Sequence, residues 1–223
     1  MPISPSQLLG QVGCAVTGSV SWGTKPASDK QGIYVVSLHG DPDKEVGLRE
    51  APISDAEVIV WIERVQSLTL DGKRPTPVAL RQRLARYWLP DEAIVYIGKA
   101  TWLRKRLSDY YSTRLGDRAP HAGGHWIKTL ANLKSLTVHY AESDNLGDPA
   151  ALEKQILLSF SQAASEQTSA AHRQQDLTMP FANLEIKGVG RRHHGIGKAV
   201  LRGSSGARRR TCAPPGSAVD PLL

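Results

Sequence analysis

Tyr96 is followed within ten positions by four cations, Lys99, Arg104, Lys105 and Arg106. A phenol next to a guanidinium suits phosphate chemistry. The guanidinium can grip two phosphoryl oxygens at once, and the phenol can give or take a proton. A free tyrosine has a pKa of about 10, so only about one in a thousand is ionised at neutral pH. Nearby cations favour the phenolate that a general base requires. On a helix over about 101–111, Leu103, Leu107 and Tyr111 form the expected core stripe, with Trp102, Arg106 and Tyr110 on the adjacent one. Arg106 then lies at the border of core and solvent, and Lys99 at the preceding turn can point into the same space. A plain amphipathic helix with a snorkelling arginine explains the same residues.

A second candidate is Glu153. Leu152, Ile156 and Phe160 mark the buried stripe of a later helix, and Glu153 falls at its edge, one turn from Leu157. A carboxylate held there calls for a cation. Mg²⁺ or Mn²⁺, completed by waters and a substrate phosphate, is one such partner, and an arginine is another. His121 and His125 flank Gly123-Gly124 in a loop able to reach a phosphate, but no cysteine or second histidine pair lies at a zinc spacing.

Charge is segregated. The formal net charge is +7, yet eight Lys or Arg and no acid lie between Lys187 and Arg210, which leaves residues 1–186 neutral. Within that neutral body Lys99, Arg104, Lys105, Arg106, Arg114 and Arg118 face only Asp109 and Asp117. A basic patch and a basic tail point to a polyanionic partner, most simply nucleic acid; a solvated face and a solubilising tail account for them equally well.

These side chains need elements to position them. Residues 1–30, rich in Ser, Gly and Pro, read as a loose arm. A strand is expected over 32–38, a helix from the Ser54–Glu57 capping box to about Leu68, and a second helix from Thr76-Pro77. Residues 94–97 and 135–141 read as strands, HWIKTLANL as a short helix, and Asp148-Pro149 opens a helix to about Ala163. Residues 187–223 lack apolar periodicity and read as a disordered basic tail. At 223 residues there is room for one sizeable core. No run approaches the roughly 18 apolar residues that would span a bilayer, no basic n-region marks a signal peptide, and two distant cysteines fit a reducing, cytoplasmic setting.

In order, Gly32-Ile33-Tyr34, Tyr96-Ile97-Gly98, Arg106, Glu153 and Asn183 resemble the landmarks of the GIY-YIG nucleases. Val95 to Tyr110 is similar to the nuclease module of UvrC-type excision-repair proteins, and the resemblance covers about residues 31–186. It implies an α+β fold, a small antiparallel sheet of about three strands flanked by helices, and metal-dependent hydrolysis of a DNA phosphodiester. Carried over by position, Tyr34 and Tyr96 flank the attacking water, with Tyr34 taking its proton, and Lys99 and Tyr110 support them. Arg106 binds the scissile phosphate, Glu153 holds Mg²⁺ or Mn²⁺, and Asn183 fixes the geometry. Arg104, Lys105, Arg114, Arg118, His121 and His125 join Lys99 and Arg106 as expected DNA contacts.

Two departures stand out. Tyr34 and Tyr96 are 62 residues apart, so residues of about 40–90 are expected to be a helical insertion between two paired strands. Its arginines, Arg81, Arg83 and Arg86, touch DNA only incidentally on this reading. Glu153 and Asn183 are also more widely spaced than is usual for the family. A nucleic-acid-binding module that keeps the fold without the chemistry is the alternative. A double-strand cut with one site per chain needs a homodimer or two successive nicks.

Overall fold

The computed structural model describes residues 2–117, 119–121, 123–144, 147–165 and 177–198. Its centre is an antiparallel sheet of four strands, β1 (Gly18–Ser21), β2 (Gly32–Ser37), β4 (Ile94–Ala100) and β5 (Thr137–Glu142), in the order β1-β5-β2-β4. Every residue of β2 is buried, as the inner strand of a sheet covered on both faces must be. β3 (Leu68–Leu70) lies outside this sheet. The protein is thus α+β, with one strand more than expected: Gly18–Ser21, inside the supposed loose arm, pairs with β5.

One face carries Tyr34, Val36, Tyr96, Val138 and Tyr140 against helices α2 (Asp55–Arg64), α3 (Pro77–Ala85) and α4 (Leu103–Ser112). The other carries Ile33, Val35 and Ile97 against α1 (Pro5–Gly10) and α5 (Pro149–Ser165). The expected caps are present. Ser54 Oγ accepts from Glu57 N, Thr76 Oγ1 from Ala79 N, and Asp148 Oδ1 from Ala150 N. The short helix over HWIKTLANL is instead two 3₁₀ turns, His125–Thr129 and Leu133–Ser135.

The 62-residue separation closes in space. β2 and β4 are adjacent, with Tyr34 opposite Gly98 and Val36 opposite Tyr96. The insertion between them holds α2, β3 and α3, so it is not purely helical. Residues 187–198, read as part of a disordered tail, are ordered. β6 (Glu185–Ile186) and β7 (Gly190–Arg191) form a hairpin, and β8 (Ile196–Lys198) pairs with β3. The rest of the expected tail, 199–223, lies outside the described residues.

Candidate active site

Both glycines of the two tripeptides have a steric reason. A Cβ on Gly98 would meet the Tyr34 ring at 2.6 Å, and one on Gly32 would meet the Ala141 carbonyl oxygen at 2.2 Å. The cross-strand partner of Tyr34 must therefore lack a side chain for the phenol to lie across the strand. Tyr34, Tyr96 and Tyr110 then form a cluster, with ring centroids 6.0 Å (34–96), 5.4 Å (96–110) and 6.5 Å (34–110) apart. Tyr110, not Tyr111, is the fully buried aromatic of α4, because seven residues from Leu103 is nearer two whole helical turns than eight.

The open edge of β4 forms one wall of a cleft of about 570 Å³, lined among others by Tyr96, Lys99, Gly123, Asp148, Glu153 and Asn183. Lys99 and Glu153 reach it from the α5 face of the sheet and form an ion pair at 3.2 Å. Asn183 is buried and acts as a surrogate strand. Its Oδ1 accepts from Ile97 N at 2.9 Å and its Nδ2 donates to Ile97 O at 2.8 Å, while Ala182 N donates to Val95 O. Although 30 positions apart in sequence, Asn183 and Glu153 line one cleft.

The cations differ in their engagement. Arg104 pairs with Asp29 at 3.2 Å and Lys105 with Asp109 at 2.8 Å. Arg106 makes no ion pair with a carboxylate among the described residues, and its charge acts on Tyr34, Tyr96, Tyr110 and His121. Arg114 is exposed beyond the end of α4, and Arg118 lies outside the described residues.

The phenols are not ionised by this setting. Burial pushes Tyr34 up to about 12, with Arg106 as the strongest opposing influence. Burial drives Tyr96 and Tyr110 well above the usual tyrosine value, and the neighbouring phenols raise both further. The expected lowering by cations is thus present but outweighed by desolvation. The Tyr34 hydroxyl is sealed from solvent and, among the described residues, has no partner at full hydrogen-bond geometry, though Tyr96 and Arg106 both act on it; Tyr96 itself lines the cleft. Tyr110 donates to Gly124 O at 2.6 Å, which makes it a fastening for the Gly123-Gly124 loop.

His121 is no surface DNA contact. It is fully buried and stacked on Tyr110 at 4.2 Å, and burial holds its imidazole at about 3, in the neutral form. His125 is half-buried, with Nε2 at 2.8 Å from His121 O. Two supports had no sequence signal, because their partners are backbone carbonyls. Lys128 Nζ donates to the carbonyls of Tyr110, at 2.6 Å, and Thr113 at the end of α4. Arg192 is buried, with Nη1 donating to Phe181 O at 2.8 Å and Pro180 O at 3.1 Å. Gly123 and Gly124 were legible as a loop but not as packing. A Cβ on either would strike Tyr96 or Tyr110.

A divalent ion fits this cleft only loosely. Among the described residues no three His, Cys, Asp or Glu converge as a ready-made cage. A single carboxylate, Glu153, suits Mg²⁺ or Mn²⁺ where waters and a phosphate supply the other oxygens. Comparison with family models, with curated proteins and with solved structures gave no match to this chain. No described helix is long and apolar enough to cross a membrane.

Proposed function

We propose that the chain is a GIY-YIG-type, metal-dependent DNA endonuclease that hydrolyses phosphodiester bonds. The observation that carries this reading is the gathering about β4 of residues spread over 150 positions: Tyr34, Tyr96 and Arg106 near one another, and Lys99, Glu153 and Asn183 with Tyr96 along its open edge. Arg106, which pairs with no carboxylate among the described residues, takes the scissile phosphate and faces the charge that grows on its oxygens. Tyr96 faces the attacking water, and the proton passes through its hydroxyl to the small phenolate fraction of Tyr34 behind it. As the water oxygen bonds to phosphorus, the bond to the leaving sugar oxygen breaks. Glu153 would hold the divalent ion, which supplies Lewis-acid stabilisation of the phosphoryl oxygens when bound. Lys99, paired with Glu153 at 3.2 Å, aims that carboxylate into the cleft, and Asn183 holds the β4 edge in place.

Nicking of supercoiled plasmid with Mg²⁺ or Mn²⁺, against an EDTA control, tests this. Glu153→Ala and Arg106→Ala should each reduce nicking by about 100-fold or more. Glu153→Ala should leave DNA binding in EDTA largely intact. Metal-independent binding without cleavage of single-stranded, branched or duplex DNA would instead establish the non-catalytic binding module.

A further inference from the structure

Five tryptophans are present, and four are used in the core. Trp61, Trp88 and Trp126 are buried, and Trp22 stands edge-on to Tyr110 and Tyr111. Trp102 is 58% exposed. Among the described residues no aromatic ring or cation stacks on it.

Its position makes that exposure harder to explain by stability. Trp102 is the N-cap of α4 and makes no side-chain capping bond. Ser, Thr, Asp or Asn is the favoured residue there. The first helical N–H groups are served instead by the carbonyls of Lys30 and Ser28. So Trp102 neither caps the helix nor fills its core.

What it does have is a neighbour. Arg106 follows one turn later, on the same face of α4. A broad exposed ring one helical turn from a guanidinium that pairs with no carboxylate among the described residues matches a nucleotide, with phosphate on the cation and base on the ring. Every base has a π-face, so such stacking tolerates sequence but needs the base to be out of its duplex stack. Arg104, Lys105 and Arg106 against the single Asp109 leave α4 net cationic, which favours a polyanion over a lipid tail or an apolar protein face.

We propose that Trp102 is a stacking platform for an unpaired base of the strand whose phosphate Arg106 takes. The protein then prefers DNA with an unstacked base near the cut, such as a flap, bulge or single strand, over continuous duplex. This rests on the nuclease reading above and names the substrate class of that site.

The test uses the full chain in EDTA, so that DNA is bound and not cut. The probe is an oligonucleotide with 2-aminopurine at an unpaired position, beside a fully paired control. Wild type should quench the 2-aminopurine. Trp102→Phe should retain part of the quenching, and Trp102→Ala and Trp102→Leu should lose it. Affinity for the unpaired probe should fall about tenfold in Trp102→Ala, with an unchanged salt slope and unchanged duplex binding. Because the side chain is exposed, all three variants should melt with wild type. Trp102→Leu retains apolar bulk should Trp102→Ala prove less stable.

Quenching by Trp102→Leu equal to wild type, or an equal affinity loss for paired and unpaired DNA, overturns the stacking role. So does Trp102-dependent self-association without quenching, which would assign the ring to a second copy of the chain. If wild type nicks DNA with metal and Trp102 has no effect on the probe, only this inference falls. If wild type neither binds nor cuts DNA, both readings fall.

Discussion

At Tyr34 two opposing effects meet on one phenol. Burial wins and holds it at about 12, while Arg106 pulls the other way. The sign of the pH dependence follows. The conjugate base is scarce at neutrality and grows about tenfold for each pH unit until the pKa is approached. If Tyr34 accepts the proton, the nicking rate should climb by about that factor per unit from pH 6 to 9. Tyr34→Phe should remove both the slope and most of the rate. A wild-type profile that is flat or falling across that range would exclude a phenolate base. The residue types of this site were readable because phosphate chemistry demands them. The balance of their electrostatics was not, since a count of nearby cations says nothing about how completely the same fold strips water from the ring.

Helix α4 carries Arg106 and Tyr110, and its C-terminal carbonyls are held by a side chain 18 residues beyond Tyr110. Lys128 is buried there, its ammonium donating to Tyr110 O and Thr113 O, and burial pulls it down to about 8. Lys128→Met keeps the stem and removes the donors, leaving those carbonyls unsatisfied. The expected cost is about 1–3 kcal/mol, read as a lower urea midpoint at unchanged m-value. Nicking should fall with it, because the base of the Arg106 helix loosens; an unchanged midpoint would mean that water replaces the lysine. Elements were legible where local chemistry marks them. Capping residues announced α2, α3 and α5, and β-branched runs announced β2 and β4. Gly18–Ser21 carries little strand signal because Gly-Ser-Val-Ser, with a single β-branched residue, becomes a strand only when β5 offers its edge. The helix at Pro5–Gly10 was hidden in the same stretch, though Ser4 and Gln7 form a full capping box.

At the scale of the whole molecule, the last described segment belongs to the domain. From composition, residues 187–198 look like the start of a basic tail, since Gly and basic residues dominate and no apolar period appears. What orders them is non-local. Arg192 threads under the 179–181 turn that leads into Asn183, lies 5.1 Å from the Tyr87 ring centroid, and donates to backbone carbonyls. β8 pairs with β3 in the insertion, and Arg83 Nη1 donates to His194 O at 2.8 Å. The segment thereby ties the insertion to the strand edge that bears the cleft. A chain ending at residue 186 should therefore melt well below one ending at residue 198 and should lose nicking. Arg192→Met in the full chain separates stapling from bulk. It leaves the carbonyls of Pro180 and Phe181 without their donor, at a cost of about 1–3 kcal/mol. Asn183 would then be held less firmly against Ile97, so the catalytic constant should fall more than DNA affinity in EDTA does. If the two chain ends melt and cut alike, residues 187–198 are an appendage after all, and the basic run acts through charge alone.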